Sequence, residues 1–205
     1  MAHTSKPALE QAMASNVYFD RVHDIQAAKI LPGEYYATTQ HMLLVTVLGS
    51  CVAACLRDKV NGIGGMNHFM LPGSNSETVA AKGGRYGIDA MEMLLGRLQK
   101  LGAERRNIEA RVFGGAAVIA SMTETNVGER NAKFVLDFLQ AEKIAVVSQD
   151  LLDVCPRKVY FFPSTGKAVV KKLRNLHNTT IEKREQAYRS HLQSLTDRTK
   201  SGSQS

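Results

Sequence analysis

Residues 43–71 read LLVTVLGSCVAACLRDKVNGIGGMNHFML, and the alternation of apolar runs and breaks in this stretch decides the fold. Leu43 to Leu48 is apolar on both faces, the composition of a central strand covered from two sides. It stops at Gly49-Ser50. Cys51 to Leu56 and Ile63 to Leu71 are two further runs of strand composition, and the segment between them carries Asn61-Gly62, a pair that favours a hairpin turn. In an antiparallel hairpin, facing residues have a constant numerical sum. A turn centred between Lys59 and Val60 predicts that Cys51 lies opposite His68, on the same side of the sheet with Cβ atoms roughly 5 Å apart. A slip of one residue would send His68 to the other face.

Upstream, Pro32-Gly33 is a turn signal and Glu34 to Thr39 has strand composition. Downstream, residues 72–85 (PGSNSETVAAKGGR) read as a Gly- and Ser-rich surface loop bordering the site. Ile88, Met91, Leu94, Leu95, Leu98 and Leu101 recur at three- and four-residue steps and Gly102 follows, which predicts an amphipathic helix. Ile108 to Phe113 is a strand running into Gly114-Gly115. A second helix is expected over about Glu129 to Glu142, then a short strand at Ile144 to Val147. Lys158 to Phe162 and Lys167 to Leu173 form a hairpin around Pro163-Ser164-Thr165-Gly166. Strands joined mostly by hairpins, with two helices, predict an α+β fold with largely antiparallel sheets and helices on the outside. Residues 1–16 are expected to be a flexible lead-in, 17–178 the folded domain, and 179–205 a basic polar tail or short helix interrupted by Ile181, Tyr188, Leu192 and Leu195.

The 205 residues suit one domain, and 44% apolar with 22% charged residues is an ordinary globular composition without a membrane-length apolar run. Met1 to Asn16 has one Lys6 and no apolar block, so no secretory signal is read and a cytoplasmic location is expected. Three cysteines make no disulfide framework, and Cys51 and Cys55 lack the second pair of a structural zinc site. The glycine pairs lack the Lys-Ser/Thr of a phosphate loop. Neither cofactor nor metal is expected. The net charge of +7 is concentrated from Lys167 onward, where nine Lys or Arg stand against three Asp or Glu. Tyr188 is the only aromatic among those basic residues after Leu173, so the aromatic interleaving of a nucleic-acid binder is missing.

A lone strand cysteine is more often a small core residue than a nucleophile, and Cys55 and Cys155 take that reading. Met66, Met70, Met91 and Met93 read as core. Cys51 differs because a Gly-Ser turn precedes it and His68 is predicted to face it. An imidazole beside a thiol favours thiolate, which makes Cys51 a candidate nucleophile and His68 its base. His23 and His41 have no predicted route to Cys51. The oxyanion of acyl transfer needs converging backbone N–H groups. Gly49 and Ser50 supply one candidate turn, Gly64 with Gly65 and Gly114 with Gly115 two others, and sequence does not choose among them. The second imidazole nitrogen needs a partner: Thr46 and Asn67 are candidates, Asn67 having the opposite strand parity to His68.

Val47-Leu48-Gly49-Ser50-Cys51-Val52-Ala53, then Gly64-Gly65-Met66-Asn67-His68-Phe69-Met70-Leu71-Pro72, then Phe113-Gly114-Gly115-Ala116 strongly resemble the CheD family of chemoreceptor glutamine deamidases, over about Val17 to Leu173. The resemblance implies that Cys51 and His68 are nucleophile and base, and that a Thr on the preceding strand, here Thr46, completes a triad. It implies a layered α/β/β/α fold like that of toxin-type cysteine deamidases. It implies conversion of receptor Gln to Glu through a thioester with release of ammonia, and a methylesterase side activity. Implied partners are the helical cytoplasmic region of chemoreceptors and a CheC-type phosphatase where the organism has one, with no nucleic acid and no membrane insertion. The basic tail would then attract acidic receptor helices in a salt-sensitive way. The rival reading is a non-enzymatic adaptor for receptors or the phosphatase whose cysteine is idle.

Overall fold

The computed structural model describes residues 12–71, 77–117, 127–174 and 179–201. The described strands are β1 (Ala12–Met13), β2 (Asn16–Asp20), β3 (Ile25–Lys29), β4 (Glu34–Thr38), β5 (Leu43–Leu48), β6 (Val52–Asp58), β7 (Gly64–Asn67), β8 (Ile108–Gly114), β9 (Ala145–Leu151), β10 (Arg157–Phe162) and β11 (Lys167–Lys172). The helices are α1 (Glu77–Lys100), α2 (Val127–Ala141) and α3 (Thr179–Ser201). The strands form a six-stranded sheet, β1-β4-β7-β6-β8-β9, and a five-stranded sheet, β11-β10-β5-β3-β2. The fold is mixed α+β. Three of the described pairings, β1 with β4, β3 with β5 and β8 with β9, are parallel and the other six antiparallel.

Apolar composition on both faces of β5 has its expected cause. The strand is central in the five-stranded sheet, between β10 and β3. Leu44 and Leu48 enter the main core, whereas Leu43 and Val45 join Ile25 and Ala27 in a smaller cluster with Tyr18, Tyr160 and Phe162. The main core lies between the sheets and under α1 and α2, which contact the six-stranded sheet at β4 and β7 and at β6, β8 and β9. Because β5 and β6 belong to different sheets, Gly49-Ser50-Cys51 is the crossing between them.

The hairpin register corrects the sequence expectation by two residues. Arg57 pairs with Gly64 and Cys55 with Met66, and the ladder continues as a bridge from Val52 to Phe69. Ala53 therefore lies opposite His68, not Cys51. The cause is a wider turn: Asp58 Oδ1 accepts from the N–H groups of Val60 (2.9 Å) and Asn61 (3.0 Å), and Gly62 takes a φ of +68°. An even shift keeps the faces, so Cys51 and His68 still share one side as diagonal neighbours.

Other boundaries also move. Helix α1 begins at Glu77, inside the stretch predicted as a loop, because Thr78 to Lys82 continue the helix and Gly83-Gly84 does not break it. Gly87 packs against Phe134 and Leu71. Among the described residues, paired backbone starts at Ala12, within the predicted lead-in. Beyond residue 178 a 23-residue helix, α3, is formed. No helix among the described residues is long and apolar enough to cross a membrane.

Candidate active site

Thr46 projects from β5 and His68 from the end of β7, so their meeting joins the two sheets. The Thr46 hydroxyl lies 2.7 Å from the carbonyl oxygen of Ile30 and 2.8 Å from His68 Nδ1. A hydroxyl has one proton to donate. Given to Ile30, it leaves the Thr46 oxygen as acceptor, so Nδ1 carries the imidazole proton and Nε2 presents a lone pair. Nε2 is buried and has no hydrogen-bond partner among the described residues. Asn67 faces the other way, donating to the Ala90 carbonyl (3.2 Å) and accepting from Ala54 N (2.9 Å). It ties β6 to α1.

Three successive amides, those of Gly49, Ser50 and Cys51, point to one spot. Their carbonyls are each held from behind: Gly49 O by Ala116 N–H (2.8 Å), Ser50 O by Asn131 Nδ2 (2.8 Å) and Cys51 O by Gly115 N–H (2.8 Å). A trans peptide sends its N–H opposite to its C=O. Fixing the Gly49 and Ser50 carbonyls therefore aims the Ser50 and Cys51 N–H groups into the site, a backbone nest for an anion. Gly114 has φ +115°, and a Cβ there would stand 2.1 Å from Cys51 O, so only glycine lets β8 approach the turn this closely. Gly114 and Gly115 thus hold the crossing from outside. Gly64 and Gly65 lie in the β7 ladder with β4 and β6.

A carboxylate occupies the nest. Glu185 of α3 accepts from Gly49 N (2.9 Å) and Cys51 N (3.2 Å) through Oε1, and from Ser50 N (2.9 Å) and Ser50 Oγ (2.7 Å) through Oε2. Cys51 Sγ, a ring nitrogen of His68 and a carboxylate oxygen of Glu185 lie within 4.8 Å of one another. These are zinc-type ligands, but the Glu185 oxygens are saturated by four N–H and O–H donors, the surroundings of a bound anion.

Under α3, Cys51 is 0% exposed and Glu185 2%. Burial pushes the Cys51 thiol well up, and the negative charge of Glu185 pushes it further. Burial lowers His68 to about 4, against the opposing pull of Glu185. Both shifts favour the neutral thiol and the neutral imidazole over the thiolate that an imidazole beside a thiol suggests in sequence. The structure brings Cys51, His68 and Thr46 together; the strand pattern puts Cys51 and His68 on one face and leaves Thr46 and Asn67 as alternative partners of the imidazole. It does not single out Glu185, Asn131 or the Ile30 carbonyl. Of these only Glu185 leaves a trace in sequence: it fills the gap in the Ile181, Tyr188, Leu192, Leu195 stripe at helical spacing.

A family model described as CheD chemotactic sensory transduction matches residues 70–172. The chain is 60% identical over 189 residues to the "Probable chemoreceptor glutamine deamidase CheD" of Thiobacillus denitrificans, covering 91% of this chain and 94% of the relative. It is 59% identical over 182 residues to "Probable chemoreceptor glutamine deamidase CheD 1" of Dechloromonas aromatica (89% and 90% covered), and 53% identical over 193 residues to the protein of that name from Shewanella oneidensis (93% and 94%). Among solved structures, the hypothetical protein YfiH of Bacillus licheniformis superposes with a TM-score of 0.42 at 14% identity, covering 73% of this chain and 66% of that one. The matched domain and the near full-length relatives lead to one conclusion: the chain belongs to the CheD family.

Proposed function

We propose that this protein deamidates glutamine side chains of bacterial chemoreceptors, as the names of its relatives state for them, with Cys51 as nucleophile, His68 as base and Thr46 as the residue that orients His68. The observation that carries the reading is a thiol at the mouth of a braced N–H nest, beside an imidazole whose Nδ1 is anchored and whose Nε2 is free. Nε2 takes the Sγ proton as sulfur attacks the carboxamide carbon, and the oxygen that becomes negative lies in the nest of Gly49, Ser50 and Cys51 N–H groups. His68 then protonates the departing nitrogen, ammonia leaves, and a thioester remains. A water deprotonated by His68 attacks the thioester, and Cys51 recovers its proton as Glu is formed. The same steps applied to a glutamyl methyl ester release methanol, which makes esterase activity a side reaction.

Glu185 reaches the nest from a helix, so a carboxamide borne on a receptor helix fits by the same approach. A soluble cytoplasmic protein meets that region of a receptor directly, and a CheC-type phosphatase is the second partner in this reading. The seal over Cys51 favours the rival, a binding protein with an idle thiol. One experiment separates them. A receptor cytoplasmic fragment incubated with the full chain gains about one mass unit per modified Gln, as replacing –NH2 by –OH through a cysteine acyl intermediate requires, and gains nothing with Cys51→Ala. No gain with either protein, nor with Glu185→Ala, which empties the nest, supports the adaptor.

A further inference from the structure

Ile181, Tyr188 and Leu192 form one stripe along α3, and Leu192 enters the main core. Position 185 completes the stripe, yet it holds a carboxylate where an apolar side chain would add to packing. Burying a charge is unfavourable unless its oxygens are satisfied, and those of Glu185 are satisfied by the N–H groups of Gly49, Ser50 and Cys51 and the Ser50 hydroxyl. The nest therefore sets where α3 docks. A second anchor lies one turn on: the Tyr188 hydroxyl pairs with that of Tyr86 on α1, and a Cβ at Gly33 would fall 2.8 Å from the Tyr188 oxygen.

A glutamate side chain is also what deamidation of a glutamine leaves behind. We infer that α3 is a product mimic acting in cis: Glu185 fills the catalytic nest as a newly made glutamate would, and substrate glutamine enters only when α3 has moved off. The likeness of Glu185 to a reaction product rests on the deamidase reading, whereas the seal on Cys51 rests on the geometry alone. A tethered occupant competes at an effective concentration on the order of millimolar. The receptor helix must displace it, so activity is held down until substrate or a partner draws α3 away.

The test uses the full chain throughout. Iodoacetamide labelling, located by peptide mass, is expected to be at least about tenfold faster at Cys51 in Glu185→Lys and in Tyr188→Ala than in the wild type, because opening no longer breaks the anchors. Cys55, buried within β6, reports on folding and stays unlabelled in each protein. Should Glu185→Lys label at Cys55 as well, Tyr188→Ala carries the comparison. Equal Cys51 rates in the wild type and the folded variants overturn the inference.

Glu185→Gln supplies the second arm. Its carboxamide oxygen can take the place of Oε1 on the Gly49 and Cys51 N–H groups, with the –NH2 turned away from the Ser50 N–H, which it cannot accept from. Position 185 is then expected to gain about one mass unit by the thioester route, at a rate independent of protein concentration. The gain is absent in the double variant Cys51→Ala, Glu185→Gln. A carboxamide that persists at position 185 in a preparation that deamidates receptor fragments overturns the mimicry and leaves the function. Faster Cys51 labelling in Glu185→Lys, with deamidation neither at position 185 of Glu185→Gln nor on the receptor, keeps α3 as the seal and overturns the deamidase reading.

Discussion

The Thr46 hydroxyl donates to the Ile30 carbonyl and accepts from His68 Nδ1, so a side chain of one sheet sets the tautomer of an imidazole carried by the other. Thr46→Val keeps the shape and removes both hydrogen bonds. The expected result is a fall in kcat of about 10- to 100-fold with KM little changed, since a misoriented base lowers proton transfer and not binding. Thr46→Ser restores the oxygen and is expected to recover most of the rate. Ammonia release from a receptor fragment measures both. A larger loss in KM than in kcat would assign Thr46 to binding.

Asn131 of α2 braces the nest by donating to Ser50 O, while its Oδ1 accepts from Leu71 N at 2.9 Å. Asn131→Ala frees the Ser50–Cys51 peptide to rotate and leaves two buried backbone groups unpaired. Stability is expected to fall by about 1–3 kcal/mol, and kcat by roughly tenfold or more from the misaligned oxyanion donor. Urea denaturation and steady-state kinetics on one preparation separate the two. An unchanged kcat in the folded variant would exclude Cys51 N–H from the transition state.

Gly114→Ala tests the same turn from β8. The added methyl meets Cys51 O at 2.1 Å on a backbone held at φ +115°, so the crossing must shift or the strand must part. Both strain and displacement act at once, and the expected loss is several kcal/mol, in the range of about 4 kcal/mol that marks a severe core defect. Thermal unfolding by circular dichroism reads it. Gly96→Ala, within α1 where a Cβ meets nothing within 4 Å, is the control and is expected to stabilise by up to about 1 kcal/mol through helix propensity.

How far the sequence carries this fold follows from the range of each interaction. Strand β5 is legible to the residue because its two-sided apolar run is a local pattern. The β6–β7 hairpin is legible in kind, but its register is set by the Asp58 side chain folding back on Val60 and Asn61, which a count from the turn does not contain. The error is even, so the face survives and Cys51 still meets His68. Asn131 and Glu185 belong to another class: they reach Ser50 across 81 and 135 positions, and nothing near either residue announces the partner. Strands β2 and β3 escape a reading by composition because short mixed segments acquire strand character only by pairing with each other and with β5.

Acid is expected to destabilise the protein in two separate steps. His68 has its folded value lowered to about 4 by burial, below the ordinary 6.5, so the unfolded chain takes up its proton first. Stability from this group is complete above pH 6.5 and is lost as pH falls through 4, a change of about 3 kcal/mol by linkage. Asp58 is the second group. It is held down to about 2 against its burial by hydrogen bonds from the N–H groups of Asn61, Glu104 and Val60 and from the Asn61 side chain. Its contribution is complete above pH 3.8 and disappears as pH falls through 2, about 2 kcal/mol. Urea midpoints of the full chain between pH 7 and pH 2 resolve the steps. His68→Gln, which has no proton to gain in this range, is expected to flatten the slope between pH 6.5 and 4 and leave the lower step in place. Asp58→Asn is expected to do the reverse, starting from a lower stability at pH 7 because the wide turn loses its charged acceptor. A slope between pH 6.5 and 4 that survives His68→Gln would assign the upper step to a group other than His68.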